Sequence, residues 1–257
     1  YFRFEEYQQD KKYQEKLSKC IESFEDGLSQ KYFSIILESV LQGKALREIT
    51  KVYSGEKQYF LSCFKGKLEN LNILDAGAYT GDTVKEIMAE GIRPMAVYCF
   101  EANVGNFAGL KEYCAGVSGQ VDVHAENLAL WDSKTVLGMK FENYNARMDA
   151  GSDENKVNTM TIDEYFKDIK LGFVKMDIEG AEKRALMGGL KTIKRDRPIL
   201  AISIYHSLED VVDIPEMLLS ELPGYSFFVR CHSYTYSEAV LYGIPGELGI
   251  RLEQEGI

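Results

Sequence analysis

No pair of cysteines stands at C-x-x-C spacing. The five present, Cys20, Cys63, Cys99, Cys114 and Cys231, are odd in number and far apart. That argues against a zinc ribbon and a disulfide framework, and free thiols in a reducing cytoplasm are expected. No apolar run approaches the ~20 residues of a membrane-spanning helix, and no signal-peptide pattern is visible. Basic residues are outnumbered, 30 Lys and Arg against 40 Asp and Glu, for a formal charge of −10. An acidic surface repels nucleic-acid phosphates and anionic lipids, so neither is an expected partner. There is no internal repeat and no low-complexity tract. The chain begins at Tyr1 rather than Met, which reads as a piece of a longer protein.

What is present is an ordinary apolar share, 45%, enough to bury a sizeable core in one large domain or one domain with an appendage. The front end reads helical. Tyr13, Leu17, Cys20, Ile21 and Phe24 share one face, and Tyr32, Phe33, Ile36, Leu37, Val40 and Leu41 share another, ended by Gly43. A short helix over Gln58–Phe64 is expected, with Gln58, Tyr59 and Phe60 as a lid. From residue 72 short apolar runs alternate with helical stretches, which predicts a mainly parallel sheet covered on both faces. Residues 143–157 read as a polar loop. The expected division is a helical extension at 1–66 and a catalytic domain at 67–257.

The stretch "NILDAGAYTGDT", residues 72–83, reads as a strand, a tight turn and a helix. Ligands bind such sheets at the carboxyl ends of the strands. Gly77 would let a ligand approach the backbone, and Gly81 would let the helix start close to the sheet. The glycines are spaced G-x-x-x-G, not the G-x-G-x-x-G of a pyrophosphate turn, and a carboxylate, Asp75, precedes them. A carboxylate suits a ligand that carries a cation. Glu101 ends the next strand, where an acid can accept both ribose hydroxyls of a nucleoside. Asp177 and Glu179 follow the strand "FVKM", and His206 follows "AISIY"; these are the candidate catalytic groups. The three together are also a candidate Mg²⁺ set. Lys175 shares the strand face of Asp177, so an ion pair between them is anticipated.

The segments "ILDAGAYTGDT", "VYCFEAN", "NLALWDS", "TIDEYF", "FVKMDIEGAEKRALMGGL" and "RCHSYTYSEAVLYGIP" together resemble the FkbM-type methyltransferases, class I S-adenosylmethionine-dependent enzymes. The likeness covers about residues 58–245, and "KMDIEGAE" is its most specific part. It implies a Rossmann-like α/β fold, a seven-stranded sheet with its last strand antiparallel, and O-methyl transfer to a hydroxyl of a sugar, glycan or natural-product-like small molecule. By position it implies that Asp75, Gly77 and Gly81 line the methionine end of the cofactor, with Ala78, Tyr79, Asp82 and Thr83 in the same turn. Glu101 would hold the ribose, flanked by Ala102 and Asn103, and Asn127, with Ala129 beyond it, would meet the adenine; Asp177 would touch cofactor or substrate. Val104 stands where the family usually has proline. Tyr234, Tyr236 and Tyr242 are candidates for stacking on a sugar, with core packing the competing use. Two other readings stay open: an NAD(P)-dependent oxidoreductase, and a non-catalytic glycan-binding or assembly module.

Overall fold

The computed structural model describes residues 3–43, 48–142, 145–149, 156–235 and 237–250. Its contacts divide the chain into two compact units, one built from Tyr1–Lys65 with Ala201–Ile257, the other from Gly66–Leu200.

In the first unit, helices α1 (Phe4–Tyr7), α2 (Lys11–Ser23) and α3 (Gly27–Gln42) lead the chain. Asp10 and Asp26 cap α2 and α3 by accepting the amides of Tyr13 and Ser29, and Gly43 ends α3 in the left-handed region at φ 60°. The predicted apolar face is the buried one: Tyr13, Leu17 and Cys20 on α2, and Tyr32, Phe33, Ile36 and Val40 on α3. Leu41 departs from it and is exposed.

The second unit opens with β1 (Asn72–Ala76), α4 (Asp82–Ala89), β2 (Ala96–Phe100), α5 (Val104–Val117) and β3 (Val123–Glu126). The short strands β4 (Ala129–Leu130), β5 (Val136–Glu142), β6 (Asn145–Asp149) and β7 (Val157–Met160) follow, then α6 (Ile162–Tyr165), β8 (Leu171–Met176), α7 (Glu182–Met187) and α8 (Leu190–Asp196). Strand β9 (Ile199–Ser203) straddles the boundary. Helix α9 (Leu208–Glu221) and strands β10 (Tyr225–Cys231) and β11 (Ala239–Pro245) complete the first unit.

Seven strands form one sheet in the order β10-β11-β9-β8-β1-β2-β3. β1 pairs in parallel with β2 and β8, β2 pairs in parallel with β3, and β10 pairs antiparallel with β11, as expected for the last strand. Ile73, Leu74, Asp75 and Ala76 of β1 are all fully buried, as a central parallel strand covered on both faces requires. A second sheet has the order β4-β7-β5-β6. Its β5–β6 hairpin replaces part of the loop read at 143–157, because residues 145–149 pair in register with 138–142. Residues 143, 144 and 150–155 of that loop lie outside the described residues.

Within the first unit, α2 packs on α9 and α3 on β10. The Tyr13 hydroxyl donates to the Leu208 carbonyl at 2.6 Å, and Lys16 Nζ lies 2.5 Å from Asp213 and 2.9 Å from Glu216. Ser29 Oγ accepts the Val229 amide at 2.6 Å, and Arg230 Nη1 sits 2.8 Å from Asp26. The helix expected over Gln58–Phe64 shrinks to a 3₁₀ turn at Ser62–Phe64. Tyr59 and Phe60 are buried rather than lid-like, with the Tyr59 hydroxyl 3.3 Å from Ser203 Oγ. Two aromatic rings gain more from this burial than from exposure on a loop, and the Tyr59 hydroxyl keeps a partner inside.

Candidate functional site

The glycine turn after β1 is held from below by one lysine. Lys175, on β8 beside Asp75 in register, reaches under the strand end. Its Nζ donates to the Gly77 carbonyl at 2.7 Å and the Ala76 carbonyl at 3.4 Å, and pairs with Asp75 Oδ1 at 2.9 Å. Both side chains of the pair are buried, Asp75 at 0% exposure. The sequence anticipated Asp177 beside Lys175; Asp75 is a further partner, because the parallel register sets residues 75 and 175 side by side. Burial opposes the Lys175 charge, but the carboxylates of Asp75, Asp177 and Asp82 outweigh it and push its pKa up.

Gly77 is required by the fold as much as by any ligand. It has φ 80°, and a Cβ there would meet the Asp177 carbonyl oxygen at 1.8 Å. Gly81, at φ 91°, is needed because a Cβ would stand 2.7 Å from the Tyr113 ring of α5, rather than from the sheet. The turn's amides are used internally. Gly77 and Ala78 both donate to the Phe100 carbonyl at 3.0 Å, Gly81 donates to Ala78, and Tyr79 donates to Glu101 Oε2 at 2.9 Å. Ala78 and Thr83 are buried, while Tyr79, at φ 47°, is 55% exposed. Asp82 lies exposed in the first turn of α4.

Glu101 is the hinge between the two strand ends. It is buried, and its Oε1 accepts the Asn103 amide at 2.7 Å while Oε2 takes Tyr79. Burial raises its pKa against the pull of these two amides and of Lys175. An ionised carboxylate has about four acceptor sites, so two amides leave capacity for a diol. Asn103 is the N-cap of α5, its Oδ1 accepting Gly105 and Asn106. Val104 is then the first helical residue, where proline is well tolerated, which accounts for the family's usual residue at that place. Asn127 Nδ2 donates to the carbonyls of Glu101 and Ala102 at 2.8 and 3.2 Å. It locks the end of β2. Ala102 is half-buried and Ala129 buried.

At the end of β8, Asp177 is half-buried and its amide donates to the Ala76 carbonyl at 2.9 Å. Glu179 takes a left-handed conformation at φ 58°, and α7 begins three residues later with Ala181 at its N-cap. The acid that closes this loop is Glu182, which the sequence reading passed over. It is fully buried, its oxygens accepting the Ile178 and Gly180 amides at 2.7 and 2.9 Å, and one of them lies within 4.8 Å of an Asp177 oxygen. The signal was its spacing, two and four residues after the amides it holds in "DIEGAE". The Mg²⁺ expectation is not supported: it named Glu179, whereas the acid beside Asp177 is Glu182. His206 belongs to the other unit, a half-buried ring 4.2 Å from that of Tyr205. His232 is there too, with Nδ1 3.1 Å from the Glu56 carbonyl and Nε2 2.8 Å from the Tyr242 hydroxyl. Trp131 is half-buried, with the Arg184 guanidinium 5.7 Å from its ring centroid.

A glycine turn on a central parallel strand, an acid closing the next strand, and a seven-stranded sheet ending antiparallel define a class I methyltransferase-like fold. The chain belongs to the Methyltransferase FkbM domain family, whose profile matches residues 75–229. It is similar in structure to a methyltransferase FkbM from Methylobacillus flagellatus, with TM-score 0.71 and 21% identity over 89% of this chain and 58% of that one. The chain thus spans a little over half the length of that relative. It is also matched by an rRNA methylase from Streptococcus thermophilus, at TM-score 0.45 and 12% identity over 70% and 90% of the two chains. No curated protein sequence matches it.

Proposed function

We propose that this chain is an S-adenosylmethionine-dependent O-methyltransferase that modifies a hydroxyl of a sugar, glycan or natural-product-like small molecule. One observation carries the choice of cofactor. Four carboxylates, Asp75, Asp82, Glu101 and Asp177, lie within electrostatic reach of the Lys175 ammonium at this end of the unit. Such a surround favours a ligand with an ammonium and a sulfonium and repels a pyrophosphate. The turn amides, spent on Phe100, Ala78 and Glu101, are likewise ill suited to cradle phosphates.

The residues present fit that cofactor. Glu101 would hold the ribose diol with its remaining acceptor sites. Asn127, Ala129, Ala102 and Asn103 would line the base. Gly77, Ala78, Tyr79, Gly81, Asp82 and Thr83 would shape the wall against the amino-acid end. Asp75 acts at one remove, by fixing Lys175 beneath the turn. When bound, the cofactor supplies an electrophilic methyl group. An alcohol is a weak nucleophile, so the protein must align it and take its proton. Asp177 is assigned that proton at a carboxylate oxygen, with Glu179 and His206 as the sequence-derived alternatives. Localisation in the cytoplasm follows only from the thiols and is part of the same reading.

The test is calorimetric titration with S-adenosylhomocysteine and, separately, with NADH. Binding of the nucleoside and none of the dinucleotide is expected. The opposite pattern would sink the proposal in favour of an oxidoreductase, and no binding of either would point to a non-catalytic module.

A further inference from the structure

Two tyrosines distant in sequence meet on the surface of the first unit. Tyr53 and Tyr234 stack with ring centroids 4.3 Å apart and planes at 25°. They are 37% and 66% exposed, so the pair is not core packing. The other two aromatics of the same stretch divide differently: Tyr242 is fully buried and Tyr236 lies outside the described residues.

The pair is mounted on a tightly pinned loop. Tyr53 bridges Cys231 in parallel, and the Ser54 amide donates to the Cys231 carbonyl at 2.7 Å. The Cys231 thiol turns into the loop, 3.4 Å from the Ser233 carbonyl and 3.1 Å from that of Thr235. Three hydroxyls close on one another beside Tyr234: Ser233 to Thr235 at 2.7 Å, Ser233 to Ser237 at 3.2 Å and Thr235 to Ser237 at 2.5 Å. The Thr235 amide donates back to Ser233 Oγ at 3.0 Å. Each hydroxyl can donate once and accept twice, so the cluster keeps acceptor capacity after these contacts.

We propose that Tyr53, Tyr234 and the hydroxyls of Ser233, Thr235 and Ser237 form a recognition surface for a neutral sugar ring. An exposed aromatic face takes the C–H face of a pyranose, and hydroxyl oxygens with acceptor sites left over match the O–H donors of a sugar. A loop already pinned loses little entropy on binding. Charge selects the neutral sugar over a sugar phosphate. Arg230 is buried against Asp26, and burial pushes the His232 ring down to about 4, so it is neutral near pH 7. The same loop, residues 232–238, carries one acid, Glu238, and no lysine or arginine. This binding is independent of the function proposed above and needs no methyl donor.

The experiment is NMR of the whole chain with ring-labelled tyrosine, titrated with methyl β-D-glucopyranoside, methyl α-D-mannopyranoside and glucose 6-phosphate. Saturable shifts of the Tyr53 and Tyr234 signals are expected with at least one neutral glycoside, and weaker ones with the phosphate. Tyr234→Ala should weaken that binding about three- to tenfold, and Tyr234→Phe by less than about twofold, because stacking survives loss of the hydroxyl. The proposal is overturned by absent shifts with both glycosides, by tighter binding of the phosphate, or by an unchanged affinity in Tyr234→Ala. Titrating the same samples with S-adenosylhomocysteine separates the two ideas. Nucleoside binding without glycoside binding removes this surface and leaves the methyltransferase reading, and the reverse result does the opposite.

Discussion

Asp75 faces a cation that comes from within the protein. With 0% exposure and Lys175 at 2.9 Å, its charge is answered before any ligand arrives, and the lysine carries the effect to the Gly77 carbonyl. In the proposed function, Glu101 is the acid that meets the cofactor directly. Glu101→Ala should weaken S-adenosylhomocysteine binding by ~1–3 kcal/mol, because a charged hydrogen-bond partner is lost; calorimetry giving wild-type affinity would show that the ribose is held elsewhere. His232 makes a prediction about acidity. Desolvation holds its folded-state pKa near 4, below the 6.5 of an unfolded histidine. The unfolded chain therefore gains the proton first as pH falls. The stability is fully present above pH 6.5 and is lost through the window down to about 4, amounting to about 3 kcal/mol. Urea unfolding across that window should show a shallower slope for His232→Gln than for the parent chain, and identical slopes would remove His232 from the account.

Helices and strands announced themselves through period. The 3.6-residue spacing marked α2 and α3 and the short apolar runs marked β1, β2 and β8; in the structure Thr161 caps α6, accepting the Glu164 amide. Expectation and element parted where a short apolar or polar run had no period. Gln58–Phe64 packed as an irregular segment, and residues 145–149 joined β5 as a strand. The contact of α3 with β10 turns on Ser29, whose Oγ accepts the Val229 amide inside the protein. Ser29→Ala should cost ~1–3 kcal/mol, since that buried amide loses its partner. Chemical denaturation measures the loss, and hydrogen exchange at Val229 should quicken with it. Unaltered exchange at Val229 would mean that another acceptor replaces Ser29.

For the chain as a whole, net charge sets what it avoids. At −10, it should pass through a DNA-cellulose column without retention at low salt, where phosphate attraction is strongest. Retention that disappears as salt rises would reveal a basic face hidden within the acidic average. The described residues contain no helix long and apolar enough to cross a membrane.

Family, sheet and glycine turn could be read from the residues in order, because strand, turn and helix each leave a local pattern a few residues long. The acids at 75, 101 and 177 were visible for the same reason: each ends a strand. Their partners were not. Lys175 belongs to Asp75 through the register of two strands a hundred residues apart, and Gly77 is obligatory because the Asp177 carbonyl comes within 1.8 Å of where a Cβ would stand. Tyr53 finds Tyr234 across most of the chain. Such meetings depend on register and on close packing between distant segments, and no local period records them.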